Sequence, residues 1–571
     1  MRHVRSGPYA DRVVAYIPCG GEEGQWLHHW GGSDPGKPGV FSDYSAPMVR
    51  YFRNWLGRKY GCDEMLRKAW GNPHVTLDTA MIPSREERIA PGTGMFRDPQ
   101  LHRNAIDYGE ALSQCINDNL ELYAGIIKEE TKRESLVGYF YGHLADVGDG
   151  YIAEQAGYVN QQPLLECPDI DFFCGPVEYR WWFRDLGGVA SFDYPTPSML
   201  RLYNKLWIQE DDLRTHLYPR EYAYSIRRPE ESVQVLTREF AKALTGGALM
   251  YLHEFGTDQR NWFDDVTYLA ELKKLQALGD YAVKHKSLAP VSEIAVIASD
   301  KTFHYIRQEK RYVFTDQTGT RGFFQRAGIG RIGAPFEEYL IDTFLNDAMP
   351  DYRFYIFLNV FCLTPEERQA IQRKLARNGA TALWFYAPGY MDGKTQDLDH
   401  IRKLTGLKLE IIHNPGDTKM SLTPENTLVP GFNASFGMFD EDRQDPIFVV
   451  RDDTAETLAR LNLSQEVGMA RKKQKDGVTH YYAAFPMLPP QILRAIAQSA
   501  GVHIYLNSYD AVYVCKNYLA VHTNRDAGER VITLPEPSAV TQIYPETRKL
   551  GKENCIRFTS ARPQTRIYRL D

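Results

Sequence analysis

The chain has 571 residues, 43% hydrophobic and 25% charged, a globular composition with room for two to four domains of about 150 residues each. A formal net charge of −6 and the lack of any long basic run exclude nucleic acid as the main partner. No apolar run is long enough to cross a membrane, and eight scattered cysteines without a CxxC pair read as reduced thiols in a cytoplasmic setting rather than as a zinc site or a disulfide framework.

The start, "MRHVRSGPYADRVV", lacks the apolar stretch of a signal peptide. "RVVAYIPC" reads as a buried strand that breaks into "GGEEGQW". "SAPMVRYFRNWLGRKYG" is a helix with apolar residues at helical spacing and a glycine stop. "NAIDYGEALSQCINDNLELYAGIIKEETKRE" is a long helix with a charged outer face. The short strands "SLVGYFYGHL", "DIDFFCGP", "NKLWIQE" and "GALMYLHEF" follow, each ending in polar or Gly/Pro residues. Strand–helix repetition of this kind predicts a parallel sheet, closed or doubly wound.

At about residue 289 the texture changes. "SLAPVSEIAVIASD" is a linker running into a continuous apolar strand, and "PFEEYLIDTFLNDAMPDYRFYIFLNVFCLTPEERQAIQRKLARNGATALWFYAPGY" reads as helix, strand, Thr-capped helix and strand. This predicts an open doubly wound α/β domain of flavodoxin-like connectivity. From about 501, "GVHIYLNSYDAVYVCKNYLAVHTN" and "RVITLPEPSAV" alternate as strands with turn residues between them, predicting a small β-sandwich. The expected organisation is a (β/α) barrel over 1–288, the doubly wound domain over 289–500 and the β-sandwich over 501–571.

Two strand ends in the first region deliver carboxylates: Glu22 and Glu23 after the first strand, and Glu210 at the end of "NKLWIQE". Active sites of (β/α) barrels lie at the carboxyl ends of the strands. Two carboxylates meeting there suit glycoside hydrolysis, one protonating the leaving oxygen and the other acting as nucleophile or base. Neighbouring carboxylates and partial burial by Trp26 would keep the acid protonated. Other strand-end residues are candidates for binding substrate: Tyr141 and His143, Tyr179, His253 with Glu254, and Trp26 with His28, His29 and Trp30. The adjacent histidines lack a third ligand at helical spacing, so no metal is expected, and no motif asks for a cofactor. Cys362 in "NVFCLT" lies on no nucleophile elbow, which argues against an amidotransferase-like activity.

Several stretches resemble glycoside hydrolase family 42 β-galactosidases and their clan A relatives. "FSDYSAPMVRYFRNWLGRKYGCDEMLRKAWG" is similar to the segment after the fourth barrel strand, which bears the acid/base glutamate, and "KLWIQEDDLRTH" to the seventh strand with its nucleophile. "MPDYRFYIFLNVFCLTPEER" and "WFYAPGY" resemble the flavodoxin-like trimerisation domain, and "GVHIY", "LAVHTN" and "ITLP" the small C-terminal β domain. The resemblance implies a retaining hydrolase of β-linked sugars, β-galactoside by default, assembled as a homotrimer. It gives Glu210 the nucleophile role, with Asp211, Arg214 and Thr215 orienting it. Glu22 takes the acid/base role, with Glu23 as the alternative, and Gln25 stands where some relatives carry a glutamate. On this alignment the strands correspond to the fourth through eighth of the barrel, so the chain reads as N-terminally truncated. A related hydrolase of other sugar specificity and a carbohydrate-binding remnant are the competing readings.

Overall fold

The computed structural model describes the chain except residues 22–23, 27, 29–40, 42, 90–93, 143, 145–155, 219–225, 255–260, 307–324, 415, 427 and 440–443. Five parallel strands form the first sheet: β1 (Ala15–Tyr16), β2 (Leu136–Phe140), β3 (Phe172–Pro176), β4 (Leu206–Asp211) and β5 (Leu249–Leu252). Their spatial order equals their chain order, the arrangement of a barrel built strand by strand. Among the described residues β1 pairs only with β2, and β5 only with β4, so the sheet is an open half-barrel.

Helices pack on its convex side. In α1 (Ala46–Tyr60) the Ser45 hydroxyl caps the first turn and Gly61, at φ 74°, ends the helix. The 28-residue α2 (Arg103–Glu130) lays Ile106, Leu112, Ile116, Leu120 and Ile127 on its buried face, and Leu120 O accepts the hydroxyl of Tyr139 on β2. Near β5, α3 (Pro229–Gly246) and α4 (Val266–His285) complete the layer.

The second sheet holds β6 (Ile294–Ala298), β7 (Phe336–Leu340), β8 (Phe354–Phe357), β9 (Thr381–Phe385), β11 (Lys419–Leu422), β12 (Phe436–Gly437), β14 (Glu456–Leu461), β15 (Val467–Lys473) and β16 (Thr479–Ala483). Its parallel part runs β7-β6-β8-β9-β16, which is the flavodoxin order 2-1-3-4-5. Antiparallel β15, β14, β11 and β12 extend it beyond β16. A separate ribbon pairs β10 (Leu409–Ile412) with β13 (Ile447–Val450). Two helices of this region matter below: α5 (Pro365–Ala376), opened by a Thr364–Glu367 capping box, and α6 (Leu398–Thr405). Phe336–Leu340, expected as helix, is a strand in register with β6. The apolar positions of "PFEEYLIDTF" fit either period, and pairing decides for the strand.

The C-terminal strands β17 (Ala511–Cys515), β18 (Tyr518–His522), β19 (Gly528–Tyr544), β20 (Arg548–Ser560) and β21 (Thr565–Leu570) make one antiparallel sheet, not the two packed sheets expected of a sandwich. Alternation along β17 gives the sheet two apolar faces. Ala511, Tyr513 and Cys515 pack on Val233, Leu236 and Ala241 of α3, while Val512 and Val514 join a core with Ile532 and Val540. The register break in β19 between Thr533 and Ser538 lets both of its halves reach that second core.

The half-barrel and the mixed sheet share one hydrophobic core. Phe96, fully buried, stacks among Phe361, Tyr386, Tyr390 and Phe448 at the carboxyl ends of the mixed sheet's strands. Beside it, Asn359 exchanges hydrogen bonds with the backbone of Ser299, and Asp300 accepts the backbone N–H of Gln161 from the half-barrel.

Two buried histidines are held in the neutral form, His522 between the C-terminal sheet and the half-barrel and His480 within the mixed sheet. His522 accepts from Thr565 Oγ1 and donates to Leu186 O at 2.7 Å, and burial holds it down to about 3. His480 on β16 is held down to about 4 by the same cause. A depressed histidine contributes stability that is complete above its unfolded value near 6.5 and is lost as pH falls toward the folded value. Each is worth roughly 3–5 kcal/mol at full loss. The urea midpoint is therefore expected to fall between pH 7 and pH 4.5, and to fall less in His480→Gln, whose amide can still accept from Trp384; equal slopes in the two proteins would contradict this.

Candidate active site

Along β4 the side chains alternate. Trp207, Gln209 and Asp211 enter the helix-side core, while Ile208 and Glu210 face the concave side of the half-barrel. Register sets Glu210 opposite Tyr251 on β5 and Pro176 on β3. The Tyr251 hydroxyl lies beside the Glu210 carboxylate and accepts from the Cys174 thiol at 3.7 Å. Burial, with Cys174 and Glu210 beside it, pushes the Tyr251 phenol well above its ordinary value, so it stays a donor. His253, just past β5, brings Nε2 to 4.0 Å from Glu210 Oε1. The Glu210 side chain is 5% exposed and that of His253 36%, so the imidazole edges the carboxylate on its solvent side.

The segment after Glu210 is clamped by charge. Asp212 receives Arg184 Nη2 on Oδ1 at 2.6 Å and Arg214 Nη1 on Oδ2. Burial pushes its carboxyl up, but the two guanidiniums outweigh this and hold it below its usual range. Arg184 also bonds the carbonyls of Val177 and Glu178, locking the end of β3 to the end of β4. Asp211 is the opposite case: full burial, then the nearby Glu239 and Asp212 charges, push it well above its usual value. Thr215 Oγ1 donates to Trp262 O and fixes the loop that follows.

Of the residues expected at the mouth, the structure brings Glu210 and His253 together. Arg214 lies within reach of Asp212 and of the Tyr179, Tyr218 and Trp262 rings, at 5.6, 5.5 and 5.2 Å from their centroids. Tyr179 is further covered by Arg184 at 3.8 Å, so it serves the arginine clamp beside the strand ends. Tyr141, expected at the mouth, is fully buried against Tyr158 and Phe173. His28 turns to the helix layer, its Nε2 3.3 Å from Leu112 O, and burial lowers its pKa. Trp26, at φ 63°, folds back so that its indole donates to Pro18 O and packs on Tyr123 and Tyr139. The loop from Gly20 closes on itself beyond β1 through Gly20 N–H to Gly24 O and Trp26 N–H to Gly20 O. Glu22, Glu23 and His143 lie outside the described residues, as do His29 and Trp30. Tyr251, Cys174, Arg184 and Asp212 were not anticipated; the alternation of "LMYLHEF", which puts Tyr251 and His253 on one face, was the available signal for the first.

Among the described residues no group of three or more His, Cys, Asp or Glu could hold a metal ion, and no helix is long and apolar enough to cross a membrane.

No protein-family model and no curated protein matches the sequence. Solved structures do match. The β-galactosidase from Bacillus circulans sp. alkalophilus aligns at a TM-score of 0.62 and 15% identity, over 94% of this chain and 78% of its own. A catalytic mutant of a GH42 β-galactosidase from G. stearothermophilus aligns at 0.61 and 12%, over 93% and 77%. The chain has the fold of the GH42 β-galactosidases. A GH42 exo-carrageenase from Bacteroides ovatus also aligns, at 0.51 and 11% identity, over 92% of this chain and 63% of that one. In this GH42 fold Glu210 occupies the carboxyl end of a parallel strand, on the concave face where barrel enzymes keep their chemistry.

Proposed function

We propose that the protein is a glycoside hydrolase acting on β-linked sugars, β-galactosides by default, by retaining double displacement. The observation that carries this is Glu210: a nearly buried carboxylate at a strand end, opposite Tyr251 and edged by His253, within a GH42 β-galactosidase fold. Glu210 attacks the anomeric carbon while Glu22, or Glu23 in its place, protonates the leaving oxygen. The same acid, now a base, then draws a proton from water to release the sugar. Tyr251 steadies the carboxylate, and His253 and Arg214 lie toward the substrate. The chain works as a homotrimer through residues 289–500, in a reducing cytoplasm that suits its eight free thiols. The likeness to an exo-carrageenase favours one second reading, a hydrolase of another β-linked sugar.

The acid/base assignment is tested with aryl β-glycosides of good and poor leaving groups. Loss of the acid slows a poor leaving group by about a hundredfold or more and spares an activated one. Glu22→Gln is expected to show that split and Glu23→Gln to leave both rates near the native value. The reverse pattern assigns the role to Glu23, and no turnover of any glycoside by the native chain overturns the hydrolase reading.

A further inference from the structure

The mixed sheet carries a cavity, on a different sheet from Glu210. It lies between α5, α6 and the turn joining β15 to β16, and measures about 170 Å³, where one water needs only about 15 Å³. Leu375, Leu404 and Val478, all buried, line its apolar part. Lys403, whose side chain is 62% exposed, marks its opening.

His480 lines the cavity and is 4% exposed. Trp384 Nε1 donates to His480 Nδ1 at 3.0 Å. An indole N–H is only a donor, so Nδ1 presents its lone pair and the neutral ring carries its proton on Nε2. That N–H has no hydrogen-bond partner among the described residues and is open to the cavity that His480 lines.

The rest of the lining is rich in acceptors. Gln372 Nε2 donates to the carbonyls of Lys403 and Leu404, and Gln474 Nε2 to that of Thr405, at the C-terminal end of α6. Each amide thus spends its donor end on the helix, and its Oε1 has no hydrogen-bond donor among the described residues. Asp476 adds a carboxylate, and the end of α6 is the negative end of a helix dipole. Lys403 at the opening and Lys472, on Gly406 O at 2.7 Å, balance these negative groups, so the lining favours no net charge. A ligand with several hydroxyls suits both kinds of group, because each hydroxyl donates to an amide or carboxylate oxygen and can accept from His480.

We propose that this cavity is a second binding site, for a neutral polyhydroxylated ligand of monosaccharide size, with His480 Nε2–H as donor and Gln372, Gln474 and Asp476 as acceptors. The cavity would bind such a ligand whether or not the half-barrel is a hydrolase.

Hydrogen exchange read by mass spectrometry on the full chain tests it, with galactose, glucose or mannitol at about 100 mM, enough to fill a site of millimolar Kd. At least one of these is expected to slow exchange by about twofold or more in peptides covering 403–406 and 474–480. Glu210→Gln should retain that protection, and the double variant Gln372→Leu/Gln474→Leu should lose it. Asp476→Ala, at an exposed turn position, gives the same test should the double variant fail to fold. The proposal is overturned if none of the three sugars protects these peptides, if protection survives both sets of substitutions, or if inorganic phosphate protects where the sugars do not.

Discussion

The Glu210→Gln variant is expected to hydrolyse an aryl β-galactoside at least about a thousandfold more slowly than the native chain, with its urea midpoint little changed. Glutamine fills the same space and carries an amide oxygen that can accept from the Tyr251 hydroxyl opposite it. What it cannot do is form the glycosyl ester on which retention depends. In Glu210→Ala, which empties that space, azide should restore turnover and yield the α-glycosyl azide, because the small anion enters from the face the carboxylate has vacated. A β-azide product would place the nucleophile elsewhere and leave Glu210 as the acid. Unchanged turnover would remove Glu210 from the chemistry altogether.

The second large effect is on stability. Arg326 is fully buried at the junction of the half-barrel and the mixed sheet. It bonds Glu178 Oε2 and Glu338 Oε1, each at 3.2 Å, and Phe192 O at 2.7 Å. Burial disfavours its charge, but Glu338 and then Tyr194 and Glu178 overcome this and push the guanidinium above its ordinary value. In Arg326→Met the two carboxylates stay in place without that cation, and breaking a buried ionic group in this way costs about 3–5 kcal/mol. A fall of the urea midpoint matching that loss is expected. Adding Glu178→Gln and Glu338→Gln should recover part of it, since neutral amides lose far less on burial. A midpoint within about 0.5 kcal/mol of native for the single variant would show that the ion group is not coupled to folding.

Much of this was legible in the sequence, for reasons that differ by element. The strands ending in Phe140, Pro176, Asp211 and Leu252 stood out as short apolar runs bounded by polar or turn residues, and that also set Glu210 at a strand end. The strand Phe336–Leu340 did not, because its apolar positions satisfy a helical period equally well and only its neighbour decides. The strands between Leu409 and Ala483 went unassigned: short and partly solvated, they take their identity from pairing. The site shows the same division. Glu210 could be named from its place at a strand end, but its pairing with Tyr251 comes from the register of β4 on β5, which no local pattern encodes. Trp26 and His28 follow a strand end in sequence, yet the positive φ at Trp26 turns its ring to the helix layer. Proximity along the chain gave the position of these two residues and not the direction of their side chains.

The placement of Phe96 bears on how the molecule moves. Open α/β sheets of this strand order ordinarily leave a crevice at the carboxyl ends of their strands, and their ligands enter there. Here Phe96 plugs the strand ends, Asn359 stitches the gap between β6 and β8, and Gln161 takes up Asp300. The mixed sheet has exchanged the ligand groove of its fold for a socket. A socket filled by a ring packed against four others allows no hinge between the two sheets, because opening it would strip about 3–5 kcal/mol of aromatic packing from a single residue. The half-barrel is thereby seated on the mixed sheet as on a rigid plinth.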